Sequence, residues 1–378
     1  MSMFYELMMR KKEQIMYATI KGSLTENDGV FSGFSASNYL KINQNIVWGN
    51  NAEIVCTFTM PSSALTNAMT NLFVGKYSSS ARNGFTIYTT GGKSYIYANL
   101  NLAGVDTNTY INTVPLELGQ TYTAKLIFNG SSYVLELWQN GVKLGEKTIS
   151  SSSTMSTVSA FYVGSFENAN FFTGSIDLNR SYIKLGSTKY NLQAVVGYTI
   201  VGSPTIVDGV VSGFSSANYL NLNQIYNAKN IMNTEIYIRA KTPSSFSSGF
   251  NYIFSNTSGY NSVFSLAVSS GVAFVSFMGS NLAGTTLAFS DIYISGNPQN
   301  NTWYRFKIKG NNGLWVFEVY DDNGNLLGRN TKDWTNLSLD QNYRIKLICL
   351  AGVNSGEIDL NETYIKVNNK LWFNGQQA

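Results

Sequence analysis

The stretch Asp28-Gly29-Val30-Phe31-Ser32-Gly33-Phe34-Ser35-Ala36-Ser37-Asn38-Tyr39-Leu40 returns 180 positions later as Asp208-Gly209-Val210-Val211-Ser212-Gly213-Phe214-Ser215-Ser216-Ala217-Asn218-Tyr219-Leu220. A chain with this recurrence is one module built twice. Further matches keep the same order. Gly22-Ser23 returns as Gly202-Ser203, and Asn101-Leu102-Ala103-Gly104 as Asn281-Leu282-Ala283-Gly284. The Tyr133–Trp138 run matches Trp315–Tyr320, and Gly174–Lys184 matches Gly356–Lys366 with an offset grown to 182. The reading is therefore two domains, 17–196 and 197–378, after an N-terminal segment, 1–16. About 180 residues per copy is enough for one hydrophobic core each.

The modules read as all-β. Tyr133, Leu135 and Leu137 alternate with Val134, Glu136 and Trp138, the period of a strand with one buried face. Asn129-Gly130, Asn140-Gly141, Asn323-Gly324 and Gly91-Gly92 supply hairpin turns between such runs. With 24 Tyr, 22 Phe and 33 Gly, strand and turn formers dominate. Many short strands broken by turns, without strand–helix alternation, mean a sandwich or barrel. Only the leader reads otherwise. Phe4, Leu7, Met8, Lys11 and Ile15 share one helical face, so residues 1–16 are expected to form a short helical attachment segment.

Composition excludes several chemistries. There is no His, so histidine-based triads and zinc sites are absent. Cys56 and Cys349 fall in different modules and read as buried thiols. The net charge of +4 comes without a dense basic stripe, so nucleic acid is not an expected partner. No phosphate loop or dinucleotide fingerprint occurs. No apolar run is long enough for a membrane span, and no membrane partner is expected. The first 16 residues lack the apolar core of a signal peptide, so an extracellular role would need another export route such as cell lysis.

Three features together resemble the concanavalin A-like (laminin G-like) jelly-roll superfamily. They are the opening D-G-V-x-S-G-F-S-x-x-N-Y-L pattern, the Tyr122–Leu144 hairpin, and the closing G-x-I-D-L-N-x-x-Y-I-K at 174–184 and 356–366. The modules look like those of bacteriophage tail-fibre and minor structural proteins. The resemblance implies two tandem jelly-roll β-sandwiches, with an early edge strand pairing the closing strand. It also implies binding of glycans or proteins, and in many members calcium held by Asp and Asn. No calcium-ligand pattern stands out in this sequence.

Glu357, Asp359 and Glu362 fit the E-x-D-x-x-E pattern of a β-glucan hydrolase family of similar fold, in which paired carboxylates cleave the glycosidic bond. The first copy has Ser175, Asp177 and Arg180 instead, while the surrounding Ile-Asp-Leu-Asn and Tyr-Ile-Lys remain. The shared element therefore reads as structural. Asp177 and Asp359 would hold a turn, as Asp28 and Asp208 would before their glycines. No catalytic residue is assigned and the chain is expected not to be an enzyme.

Sugar recognition needs flat apolar faces with polar groups beside them. The aromatic candidates are Trp48, Tyr88, Tyr95, Tyr97, Trp138 and Tyr320. The expected function is a virion structural protein, in a tail fibre, baseplate or capsid decoration, that contacts host-surface polysaccharide or receptor. Its partners would be other virion proteins, with homo-oligomers compatible. The alternatives are a purely structural virion protein and a bacterial surface or secreted adhesin.

Overall fold

The computed structural model describes residues 14–76, 82–166, 170–215, 217–227, 233–245, 250–256, 265–269, 274–280, 287–293, 298–311, 314–333, 342–347 and 356–377. The chain divides into two compact units, Met1–Ala194 and Val195–Ala378. The described residues form strands and turns, with no helix among them.

In the first unit two antiparallel layers can be traced strand by strand. One runs Val105–Tyr110, Lys93–Leu102, Arg82–Thr90, Met69–Lys76, Ala160–Val163, Tyr39–Ile42 and Gln14–Lys21. The other runs Val142–Ser150, Ser132–Gln139, Thr121–Phe128, Ala52–Thr59, Ser175–Leu185, Val30–Ser32 and Thr25–Asn27. Alternation gives several of these strands one apolar face: Phe85 and Ile87, Ile96 and Ala98, Leu126 and Phe128, Tyr133, Leu135 and Leu137 are all buried. Each such large side chain contributes about 1.5–3 kcal/mol on burial.

The second unit repeats the order. One layer runs Leu287–Tyr293, Phe274–Ser280, Ser265–Ser269, Phe250–Asn256, Asn342–Leu347 and Tyr219–Asn227. The other runs Leu326–Asp333, Leu314–Asp321, Trp303–Asn311, Asn233–Lys241, Glu357–Val367, Val210–Ser212 and Thr205–Val207.

The two repeated motifs meet in space. Asp28 and Gly29 sit at φ 47° and 79°, forming the tight turn between strands 25–27 and 30–32. The closing strand bulges after Asp177, where three extra residues intervene before pairing resumes at Tyr182. From that bulge Asn179 Nδ2 donates to the Asp28 carbonyl (2.6 Å) and the Leu178 amide to the Gly29 carbonyl (2.9 Å). The second unit has the same latch: Asn361 Nδ2 to Asp208 O at 2.8 Å, and Leu360 N to Gly209 O at 2.9 Å.

The expected helix over 1–16 needs correction at its end. Residues 1–13 lie outside the described residues, but Gln14, Ile15 and Met16 begin the strand Gln14–Lys21. Met16, Ala18 and Ile20 point inward, so period two, not helical spacing, governs there. Cys56 is a buried free thiol, its pKa pushed up by burial. Cys349 and the Asn281–Gly284 match lie outside the described residues.

Candidate functional site

Two turns build the aromatic site. Gly91-Gly92 joins strands Arg82–Thr90 and Lys93–Leu102 and sets Tyr88 opposite Tyr95. Ala103-Gly104 joins the latter to Val105–Tyr110 and sets Tyr97 opposite Tyr110. All four rings lie on the face away from Ile87, Ile96 and Ala98, and all are half-buried. Tyr110 is the hub. Its ring centroid lies 5.7 Å from Tyr88, 6.2 Å from Tyr95 and 6.0 Å from Tyr97, the last pair stacked at 21°. Tyr88 and Tyr97 are 5.9 Å apart. Cross-strand aromatic pairs of this kind stabilise a sheet and hold one another's orientation.

The platform is uncharged. Burial first, then the neighbouring Tyr88 and Tyr110, push the Tyr97 phenol above its ordinary pKa, so it remains a neutral donor and acceptor. Polar groups continue the same face. Asn99 Nδ2 donates to Thr86 Oγ1 at 3.0 Å, and Asn108, exposed, lies opposite Asn99.

Sequence reading named Tyr88, Tyr95 and Tyr97, and these come together. It missed Tyr110. The signal was available: a two-residue Ala103-Gly104 turn pairs position 97 with 110.

Trp48 is corrected. It is 4% exposed and packs edge-on against Phe161, with centroids 6.0 Å apart, so it presents no face to a ligand. Trp138 lies in the other layer, apart from the tyrosines. Its indole N–H donates to Glu136 (2.8 Å) and Lys125 Nζ sits 4.5 Å over its ring. Tyr320 occupies the equivalent place in the second unit and donates to Glu318 at 2.8 Å. Burial and that carboxylate push its phenol up to about 12.

The acidic motif is enclosed by cations. Glu357 pairs with Lys241 (3.0 Å), Asp359 with Arg239 (2.5 Å) and Glu362 with Arg305 (3.2 Å). Asp322 also receives Arg239 at 2.9 Å. Arg239 and Arg305 face each other across two strands, a placement that such carboxylates make tolerable. In the first unit the same positions are Thr57 and Thr123, whose hydroxyls lie 2.9 Å apart. Asp359 and Asp177 also cap their bulges: Asp359 Oδ1 accepts from Asn361 N, and Asp177 Oδ1 from Asn179 N, both at 3.0 Å.

Among the described residues no group of three or more acidic side chains is placed to hold a metal ion; Asp322, Asp359 and Glu362 converge on Arg239 instead. The nearest approach is the Asp321-Asp322 turn. Asp321 is held by Asn325, and Asp322 by Arg239 and Arg305.

No family model matches the chain, and no curated protein matches it. Several solved structures are similar. Mouse laminin α1 domains LG4-5 match at TM-score 0.32 and 12% identity, over 98% of this chain and 99% of that one. The enzymatically active domain of tailspike protein 2 from bacteriophage CBA120 matches at TM-score 0.35 and 15% identity, over 48% of this chain and 32% of that one. The CBM2 module of the evolved Dit of Lactobacillus casei BL23 phage J-1 matches at TM-score 0.31 and 14% identity, over 46% and 80%. Laminin G-like and phage-tail modules are the group the sequence resembles. At these TM-scores the likeness establishes no shared function. One expectation is nonetheless corrected. The chain was expected not to be an enzyme, yet a similar tailspike structure is named as enzymatically active, so the exclusion of catalysis is withdrawn.

Proposed function

We propose that the chain is an adhesion protein of a virion and that the tyrosine platform of its first unit contacts host-surface glycan. The observation carrying this reading is the gathering of Tyr88, Tyr95, Tyr97 and Tyr110 on one solvent-side face, with Asn99 and Asn108 beside them. Aromatic faces match the C–H faces of sugar rings, and amides and phenols match the hydroxyls. The register-equivalent positions of the second unit carry other residues. In the second unit the paired positions are Val268 opposite Val275 and Phe277 opposite Ser290, which carry no phenol. Several weakly binding copies on one particle would bind tightly together.

The test is a glycan array on the full chain, repeated with Tyr97→Ala and Tyr110→Ala. Each lost ring is expected to weaken binding about two- to twelve-fold, from about 0.5–1.5 kcal/mol per aromatic contact. A folded wild-type chain that binds no glycan would move the platform to protein–protein assembly. Binding unaffected by either substitution would remove it from the site.

A further inference from the structure

A second surface, in the other unit, carries a different chemistry. A cavity of about 390 Å³ lies where strands Asn233–Lys241, Trp303–Asn311 and Glu357–Val367 run side by side. That volume is within the roughly 300–1,000 Å³ of small-ligand pockets. Its walls include Lys309, Lys366, Glu235 and the amides of Asn233, Asn311 and Asn369. Register places Lys309, Glu235 and Lys366 in one row across the three strands.

The carboxylate of that row is already committed. Glu235 accepts from the Tyr364 phenol at 2.7 Å and lies 3.5 Å from Lys366 Nζ. Its burial would raise its pKa, but Tyr364, Lys366 and Lys307 outweigh this and lower it, so Glu235 remains an anion. Lys309 is exposed and has no hydrogen-bond or ion-pair partner among the described residues. The cavity thus holds one ammonium group unneutralised, beside three amides that can donate and accept.

We propose that this cavity binds the carboxylate of a uronic-acid unit in an acidic saccharide. Lys309 would take the carboxylate, and Asn233, Asn311 and Asn369 the ring hydroxyls. Every lining residue but Gly310 carries a polar side chain, which suits a hydroxylated ring better than an apolar acid. The first unit cannot do this at the matching place, where the residue corresponding to Lys309 is Ile127. The inference does not depend on the tyrosine platform.

The experiment is calorimetric titration of the full chain with short galacturonate, glucuronate and mannuronate oligomers, their carboxyl-reduced neutral counterparts, and inorganic phosphate. At least one uronate oligomer is expected to bind, with its neutral counterpart weaker. Lys309→Gln should weaken it roughly ten-fold or more, the value of one charge-assisted hydrogen bond. Lys309→Arg should retain binding, and Tyr97→Ala should leave it unchanged. Silence toward all three oligomers, unchanged binding by folded Lys309→Gln, or phosphate binding as tightly as the best uronate would each overturn the proposal. Loss of binding in Tyr97→Ala, with Lys309→Gln unaffected, would return the ligand to the first unit.

Discussion

The latch between the two repeated motifs can be tested by a single methyl group. A Cβ on Gly29 would lie 2.4 Å from Asn179 Nδ2, at a backbone φ of +79°. Two costs follow for Gly29→Ala. The left-handed conformation costs about 1 kcal/mol for an alanine. Displacing Asn179 from the Asp28 carbonyl costs about 1 kcal/mol more. A loss of about 2 kcal/mol lowers the melting temperature of a unit this size by about 4–8 °C. The two costs separate in a double-mutant cycle. Asn179→Ala alone should cost about 1 kcal/mol. In that background Gly29→Ala should cost only its conformational part, so the pair couples by about 1 kcal/mol. Because two units unfold, the readout should be hydrogen exchange of peptides from each unit against denaturant. Peptides of the first unit should lose protection while those around Gly209 and Asn361 keep theirs. Equal costs for Gly29→Ala with and without Asn179 would refute the latch.

Two further predictions follow from charge. Asp322 has its carboxyl held below the ordinary range by hydrogen bonds and charge from Arg239, with Arg305 adding to it. A depressed carboxyl stabilises the fold above its unfolded pKa and loses that contribution as pH falls through the folded value, so the window lies below about 3.8. Acid unfolding followed by exchange of second-unit peptides should therefore be less steep below that pH in Asp322→Asn than in wild type; identical slopes would count against the ion-pair cluster. Salt should also separate the two proposed sites: raising NaCl from 0.05 to 0.5 M should weaken uronate binding several-fold and leave a neutral glycan within about two-fold, and a parallel decline of both would argue against an uncharged platform.

Much of the architecture was legible because it rests on local rules. Alternation correctly placed Tyr133, Leu135 and Leu137 inside and Trp138 outside. Asn140-Gly141 makes a tight turn, with Asn140 at φ 50° and Gly141 at 79°. Asn129-Gly130 behaves differently. Phe128 pairs with Tyr133, so four residues form the loop, and Asn129 Oδ1 accepts from the amides of Ser131 and Ser132. Trp48 misled because its neighbours are polar. Its burial depends on Phe161, over a hundred residues away, which no local pattern reports. Tyr110 was missed for a different reason: its membership of the platform follows from register through the nearby Ala103-Gly104 turn, not from the composition of its own strand. The closing acidic motif was readable as a shared element, but its cations come from strands 233–241 and 303–311 and could not be assigned before pairing was known.

The repeat shows what each unit must keep and what it can vary. Both keep the turn-to-bulge latch, and both keep the Asn that accepts from the Ser amide after the early glycine: Asn38 for Ser23 and Asn218 for Ser203, each at 3.0 Å. A phenol-to-glutamate bond is kept too, Tyr182 to Glu53 at 3.0 Å and Tyr364 to Glu235 at 2.7 Å. The latch and the phenol-to-glutamate bond join segments more than a hundred residues apart, so they determine how the layers close. The solvent-side faces diverge instead. The register positions of four tyrosines in one unit are held by two valines, a phenylalanine and a serine in the other, while a threonine pair in one becomes an arginine–carboxylate cluster in the other. Closure contacts constrain a backbone that both copies need; face residues cost the fold little when exchanged in kind. A chain that preserves the first set and changes the second has two scaffolds with two surfaces, and two identical ligand sites would not require that difference.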